Sequence, residues 1–205
     1  MPSSALPTEA VDAKARPGLV TSLLETTKPG ITRLVTITAG VGFAMGHFTA
    51  GIRGHNAYET ALPALACLLG TYLTAGGANS LNQFIERLRD ARMNRTNRRP
   101  LPQDRVSPAA VFWFGLASTL VGLLILFLGG GWPPAATSLA CTLVYTLIYT
   151  PMKPRTALST YVGTIPGALP PIIGWVAAWP GFPSMDRFTH PGGWSLFLLM
   201  TVWQL

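Results

Sequence analysis

Leu62-Pro-Ala-Leu-Ala-Cys67-Leu-Leu-Gly70-Thr-Tyr-Leu-Thr-Ala-Gly-Gly-Ala-Asn79-Ser-Leu81 runs directly into Asn82-Gln-Phe-Ile-Glu86-Arg-Leu-Arg-Asp90-Ala-Arg-Met-Asn-Arg95-Thr96-Asn-Arg-Arg99-Pro100-Leu101. The first stretch is apolar and supplies the roughly 20 residues that a helix needs to cross a bilayer. In the second, Asn82, Glu86 and Asp90 follow one another at intervals of four residues. On a helix that spacing sets three oxygen-bearing side chains on one face, at steps of about 6 Å. Seven arginines lie between Arg87 and Arg105.

Working outward, the rest of the chain has the same character. Only 11% of its 205 residues are charged and 49% are hydrophobic. A soluble domain carries about 25% charged residues. The charges are clumped and leave further apolar runs at Leu34–Gly51, Pro108–Gly130, Pro133–Thr150 and Ala157–Trp179. Another begins at Gly193 and reaches Leu205. The expected fold is therefore an all-α polytopic membrane protein, a transmembrane helical bundle of five spans and part of a sixth.

The loops between these runs orient the chain. Cytoplasmic loops carry an excess of Lys and Arg. Lys14, Arg16, Lys28 and Arg33, the seven arginines, and Lys153 with Arg155 fall on one side, against Arg53 and Arg187 on the other, a division of 13 to 2. The N-terminus and the loops at 86–105 and 151–156 are expected to be cytoplasmic, and the loops near 51–60 and 182–192 to face outward. The net charge of +7 is then mostly topology. It does not signal nucleic-acid binding, because membrane runs flank the arginine cluster. Residues 1–27 read as a cytoplasmic tail without the apolar core of a signal peptide, and Leu19–Glu25 suits a short interfacial helix. Residues 28–205 read as one transmembrane domain.

Cys67 and Cys141 sit within apolar runs and read as small packing residues, with no disulfide or zinc pattern. His47, His55 and His190 fall at the outer side, as interfacial histidines. Pro166, Pro170 and Pro171, with Gly163, Gly167 and Gly174, mark a kink beside a cavity or close helix packing.

The polar stretch has two readings. Glu86 and Asp90 can form a solvated helix end paired with Arg87, Arg89 or Arg92, an arrangement that is common and weak. Alternatively, the three oxygens hold a divalent cation while the arginines hold phosphate. Mg²⁺ is typically bound through one or two carboxylates plus substrate phosphates, so Asn82, Glu86 and Asp90 fit half of such a site. Arginine suits phosphate because its fork donates two parallel hydrogen bonds. Lys153 and Arg155, on the same side, can converge on that site or serve only as anchors.

The stretch resembles the first aspartate-rich motif of the UbiA superfamily of intramembrane prenyltransferases, Asn-x-x-x-Asp-x-x-x-Asp followed by Arg-Thr-x-x-Arg-Pro-Leu. Asn82, Asp90, Arg95, Thr96, Arg99, Pro100 and Leu101 match, and Glu86 stands in for the first aspartate with its charge kept and one methylene added. Within the superfamily, Lys28-Pro29, Tyr149-Thr-Pro-Met-Lys153-Pro-Arg155-Thr156, Thr164–Trp175 and Trp203-Gln204-Leu205 resemble the group that farnesylates protoheme IX.

The resemblance implies transfer of a farnesyl group from farnesyl diphosphate to a vinyl group of heme b, with addition of water, giving heme O and diphosphate. It implies Mg²⁺ with the diphosphate, and heme b as substrate rather than cofactor. Asn82, Glu86 and Asp90 would be the metal-holding catalytic residues, and Lys28, Arg95, Arg99, Lys153 and Arg155 the diphosphate-binding ones. The implied setting is a bacterial inner membrane. The implied partners are membrane lipid, the two substrates, and the downstream heme A synthase or cytochrome oxidase assembly machinery. Two alternatives stand beside it: prenylation of an aromatic quinone precursor, which the motif at 82–101 equally allows, and a non-catalytic membrane protein. The family carries further helices and a second acidic motif beyond the point where this chain stops. An N-terminal portion, inactive and poorly stable alone, is therefore expected, with a short paralogue as the other reading.

Overall fold

The computed structural model describes residues 17–49, 57–179 and 184–205. These residues form an all-α bundle: α1 (Leu19–Thr26), α2 (Pro29–Thr49), α3 (Ala57–Asp90), α4 (Pro108–Gly130), α5 (Trp132–Leu143), a π-helical segment Val144–Tyr149, α6 (Thr150–Met152), α7 (Ser159–Ala177), α8 (Ser184–Thr189) and α9 (Pro191–Gln204). His55 and residues 1–16 lie outside the described residues.

The expectation of five spans and part of a sixth is corrected here. Among the described residues three helical stretches are long and apolar enough to cross a membrane: Tyr58–Asp90, Pro108–Gly130 and Trp132–Met152. The other apolar runs fall short for local reasons. Arg33, His47 and several threonines and glycines dilute α2. Three prolines, with Ser159, Thr160 and Thr164, dilute α7. The 14 residues of α9 reach only about 21 Å at 1.5 Å per residue.

Helix α3 organises the molecule. Its 34 residues extend about 51 Å, well beyond the roughly 30 Å of a hydrocarbon core, so its polar C-terminal turns project. It packs along α4 through bare glycines in an antiparallel register. Gly70 lies against Gly122 and Leu126, Gly77 against Gly115 and Thr119, and Ala66 against Gly129. Spacings of seven residues keep these glycines on one stripe, and small residues let two helix backbones approach closely in lipid. Helices α2 and α7 run in the same direction and meet similarly, Gly42 on the Pro171 carbonyl and Gly174 on the Ala39 carbonyl.

A core of Phe43, Cys67, Trp175, Val176 and Trp179 joins α2, α3 and α7. A smaller one of Leu101, Val106 and Val111, against Leu23 and Phe84, pins the arginine-bearing connection 91–107 onto α1, α3 and α4. Ser107 caps α4, its side chain accepting from the Ala110 N–H at 3.2 Å.

Candidate functional site

The site grows from the last turns of α3. Asn82, Glu86 and Asp90 are 2%, 5% and 4% exposed, so the helix end is not the solvated one that bare spacing allows. Each oxygen meets a cation from a different part of the chain. Lys28 Nζ, in the α1–α2 connection, donates to Asn82 Oδ1 at 2.8 Å. Lys153 Nζ, after α6, donates to Glu86 Oε1 at 3.4 Å, and Arg89 stands 3.7 Å from the same oxygen. Arg99 Nη1 donates to Asp90 Oδ2 at 2.6 Å. A buried carboxylate without such a partner is costly, so the cations and the acids need one another.

Backbone geometry delivers the cations. Lys28 adopts φ of +50°, a left-handed conformation uncommon for a side chain with a Cβ. It lies between the end of α1 and Pro29, and this turn sends its ammonium back to α3. Such local strain gathers at functional sites. Burial, and after it the charge of Arg99, lower the Lys28 ammonium from its usual range to about 8, while Glu86 and Asp90 oppose the shift. Thr96 is buried, and its hydroxyl donates to the Asp90 carbonyl at 3.0 Å. It thereby closes the end of α3 and turns the chain so that Arg99 returns to Asp90.

Sequence reasoning missed a polar ladder on the same side of α3. Ser80 and Thr26 share a hydrogen bond of 2.7 Å between their hydroxyls. Gln83 Nε2 donates to the Thr26 carbonyl at 3.0 Å. Asn79 Nδ2 donates to Thr32 Oγ1 at 3.1 Å, and Asn79 Oδ1 accepts from the Tyr145 hydroxyl at 3.2 Å. Asn82 Nδ2 donates to Thr150 Oγ1 at 3.0 Å, and Thr150 donates onward to the Tyr145 carbonyl at 2.7 Å. The signal was available: Asn79, Asn82, Gln83, Glu86 and Asp90 recur at helical spacing at the end of an apolar run. Thr150 carried no such signal, because it follows the π-helical segment Val144–Tyr149, which shifts the helical phase. Such segments are frequently found at functional sites.

Two cavities adjoin this cluster. One, of about 220 Å³, is bounded by α2, α3, α5, the π segment and α7. Its walls include Ile31, Val35, Ala78, Asn79, Tyr145 and Pro166, so it is largely apolar. The other, of about 320 Å³, contains Lys153 and lies between the 153–160 segment, α7 and α9.

The structure thus gathers Lys28, Asn82, Glu86, Asp90, Arg99 and Lys153. Arg95 and Arg155 are exposed, and their side chains make no hydrogen bond or ion pair with a described residue. Among the described residues no group of three or more His, Cys, Asp and Glu side chains is placed to hold a metal ion. Glu86 Oε2 and Asp90 Oδ1 accept no hydrogen bond from a described residue, each carboxylate being engaged through its other oxygen. Two free carboxylate oxygens fit a hard divalent cation whose remaining ligands come from a substrate and water, and they do not make a closed cage.

The curated relatives include a protoheme IX farnesyltransferase of Myxococcus xanthus, 41% identical over 94% of this chain and 60% of its own length. One of Sorangium cellulosum is 40% identical over 84% of this chain and 60% of its own. The mitochondrial protoheme IX farnesyltransferase of Candida glabrata is 32% identical over 88% of this chain and 37% of its own. The chain therefore spans about 60% of the length of the first two. No solved structure matches. The UbiA prenyltransferase family matches residues 33–205, a range that takes in the acidic end of α3, the arginine-bearing connection and Lys153, and the chain belongs to that family.

Proposed function

We propose that this chain binds farnesyl diphosphate and supports transfer of its farnesyl group to a vinyl group of heme b, with addition of water, giving heme O and diphosphate. The observation that carries the reading is the pairing of three buried oxygens on α3 with Lys28, Lys153 and Arg99, beside an apolar cavity. The relatives named above supply the choice of heme as acceptor.

Glu86 and Asp90, through their unengaged oxygens, would hold Mg²⁺, with Asn82 Oδ1 as a neutral ligand. When bound, the cation neutralises charge on the departing diphosphate. The chain's own residues do the rest. Lys28, Lys153 and Arg99 donate to diphosphate oxygens, and Arg95 and Arg155 extend that donor set at the rim. These donors gain most as the carbon–oxygen bond breaks and charge builds on the diphosphate. The apolar walls keep water from the allylic carbon until the vinyl group attacks it. The basic loops then face the cytoplasm of a bacterial inner membrane.

The test is product formation. Membranes containing the chain, extended by a C-terminal part of the length that its relatives carry, are supplied with farnesyl diphosphate, protoheme IX and Mg²⁺ and assayed by mass spectrometry for the farnesylated, hydrated heme. Metal-dependent product, lost with Asp90→Ala, is expected. Absence of product, or a wild-type rate with Asp90→Ala, would sink the reading.

A further inference from the structure

We infer that the cavity between the 153–160 segment, α7 and α9 receives the carboxylate-bearing edge of the prenyl acceptor, leaving the apolar cavity beside Tyr145 to the isoprenoid chain. This rests on the heme reading above, since protoheme IX bears two propionate groups opposite its vinyl groups.

The cavity wall is unusually polar for this molecule. Tyr149, Lys153, Ser159, Thr160, Thr164 and Gln204 line it. Thr164 uses its hydroxyl on the Tyr161 carbonyl, and Gln204 its amide N–H on the Met200 carbonyl. The hydroxyls of Tyr149, Ser159 and Thr160 have no hydrogen-bond partner among the described residues. Ser159 is only 7% exposed as a residue, and it lines this cavity. Lys153 is the one charged group on the wall, and no carboxylate of a described residue lines it. Three unpaired hydroxyls and an ammonium complement anionic oxygens.

Position supports the same ligand. Tyr149 and Gly163 line both cavities. A Cβ on Gly163 would come within 2.8 Å of Tyr149 Cε2, so the bare glycine keeps the junction open. Lys153 touches both the polar cavity and Glu86. An acceptor held by its carboxylates here would turn its apolar, reactive edge toward the Tyr149–Gly163 junction, where the prenyl carbon arrives.

Carboxylates and the diphosphate share this oxygen chemistry, and the experiment separates them. The purified chain in detergent is titrated with protoheme IX and with its dimethyl ester, followed by Soret absorbance, with and without saturating Mg²⁺-pyrophosphate. The free acid should bind at least about tenfold more tightly than the ester. The double variant Ser159→Ala/Thr160→Val should shrink that preference to about threefold or less while keeping pyrophosphate binding, which shows that it is folded. Pyrophosphate should leave protoheme affinity unchanged. Equal binding of acid and ester, or a full preference in the double variant, would remove the carboxylate site and leave the heme reading standing. Displacement of protoheme by pyrophosphate would assign the hydroxyls to the diphosphate instead. Binding of pyrophosphate but of neither porphyrin would overturn the heme reading and this site together.

Discussion

At the scale of single residues, Asn82 is held from both ends. Lys28 takes its carbonyl oxygen and Thr150 its amide nitrogen, so the amide cannot turn over without losing both bonds. Thr150→Val removes the acceptor from a buried amide and should cost about 1–3 kcal/mol. Thr150→Ser keeps the hydroxyl and should stay near wild type. Thermal unfolding in detergent reads both, and equal stability of the two variants would refute a positioning role. For the carboxylates, Asp90→Ala should lower farnesyl transfer about 100-fold or more, as loss of one charge-stabilising group does. Glu86→Asp should be milder than Glu86→Ala, because the shorter side chain keeps its charge. Rates measured over a range of Mg²⁺ concentration check this. The acidic face itself was legible in the sequence, since spacing alone aligns Asn82, Glu86 and Asp90. The long-range partners were not: Lys28 and Lys153 lie 54 and 67 residues from the oxygens they meet, and Thr150 lies 68 residues from the Asn82 amide nitrogen that donates to it, and such pairings follow from packing rather than local pattern.

At the scale of elements, the contact between α3 and α4 depends on the absence of side chains. A Cβ on Gly122 would come 2.7 Å from the Gly70 carbonyl oxygen and 2.8 Å from the Thr74 nitrogen. Neither backbone atom can yield as a flexible side chain would, so Gly122→Ala should destabilise the bundle by about 1–3 kcal/mol. Gly30→Ala is the control, since nothing lies within 4 Å of its added methyl. Thermal unfolding of the two variants should separate them clearly, and an equal effect would show that the glycine stripe is not what brings these helices together. The α-helical character and the ends of α4 could be read from Pro108, Ser107 and the Gly129–Gly131 cluster. The full length of α3 could not, because the loop expected at 86–105 takes in the last turn of the helix, Glu86–Asp90.

At the scale of the whole molecule, the division of basic residues predicts one orientation. With Cys67 and Cys141 replaced by Ala, Ser107→Cys should be reached by an impermeant thiol reagent from the cytoplasmic side only. Labelling from the opposite side would refute that orientation. The bundle was legible as all-α and membrane-embedded from composition, but the number of spans was not. Counting apolar runs gives Leu34–Gly51 and Ala157–Trp179 the same weight as Pro108–Gly130. In the structure the first two are the helices richest in Thr, Gly and Pro, and they turn many of those residues inward, against α3 and against each other.

The π-helical segment Val144–Tyr149 also constrains the length of the chain. It holds one residue more than an α-helix needs for the same advance, so everything C-terminal to it is out of phase with what precedes it. Each helical residue turns about 100°. If the same residues relaxed to α-helix with none removed, Thr150 would swing by about that angle away from Asn82. Deleting Leu147 removes the surplus residue, so the shortened segment should relax to α-helix with Tyr145 still facing Asn79 and Thr150 still holding the Asn82 amide. Here a single peptide unit, and no particular side chain, decides whether two halves of one helix address the same partner.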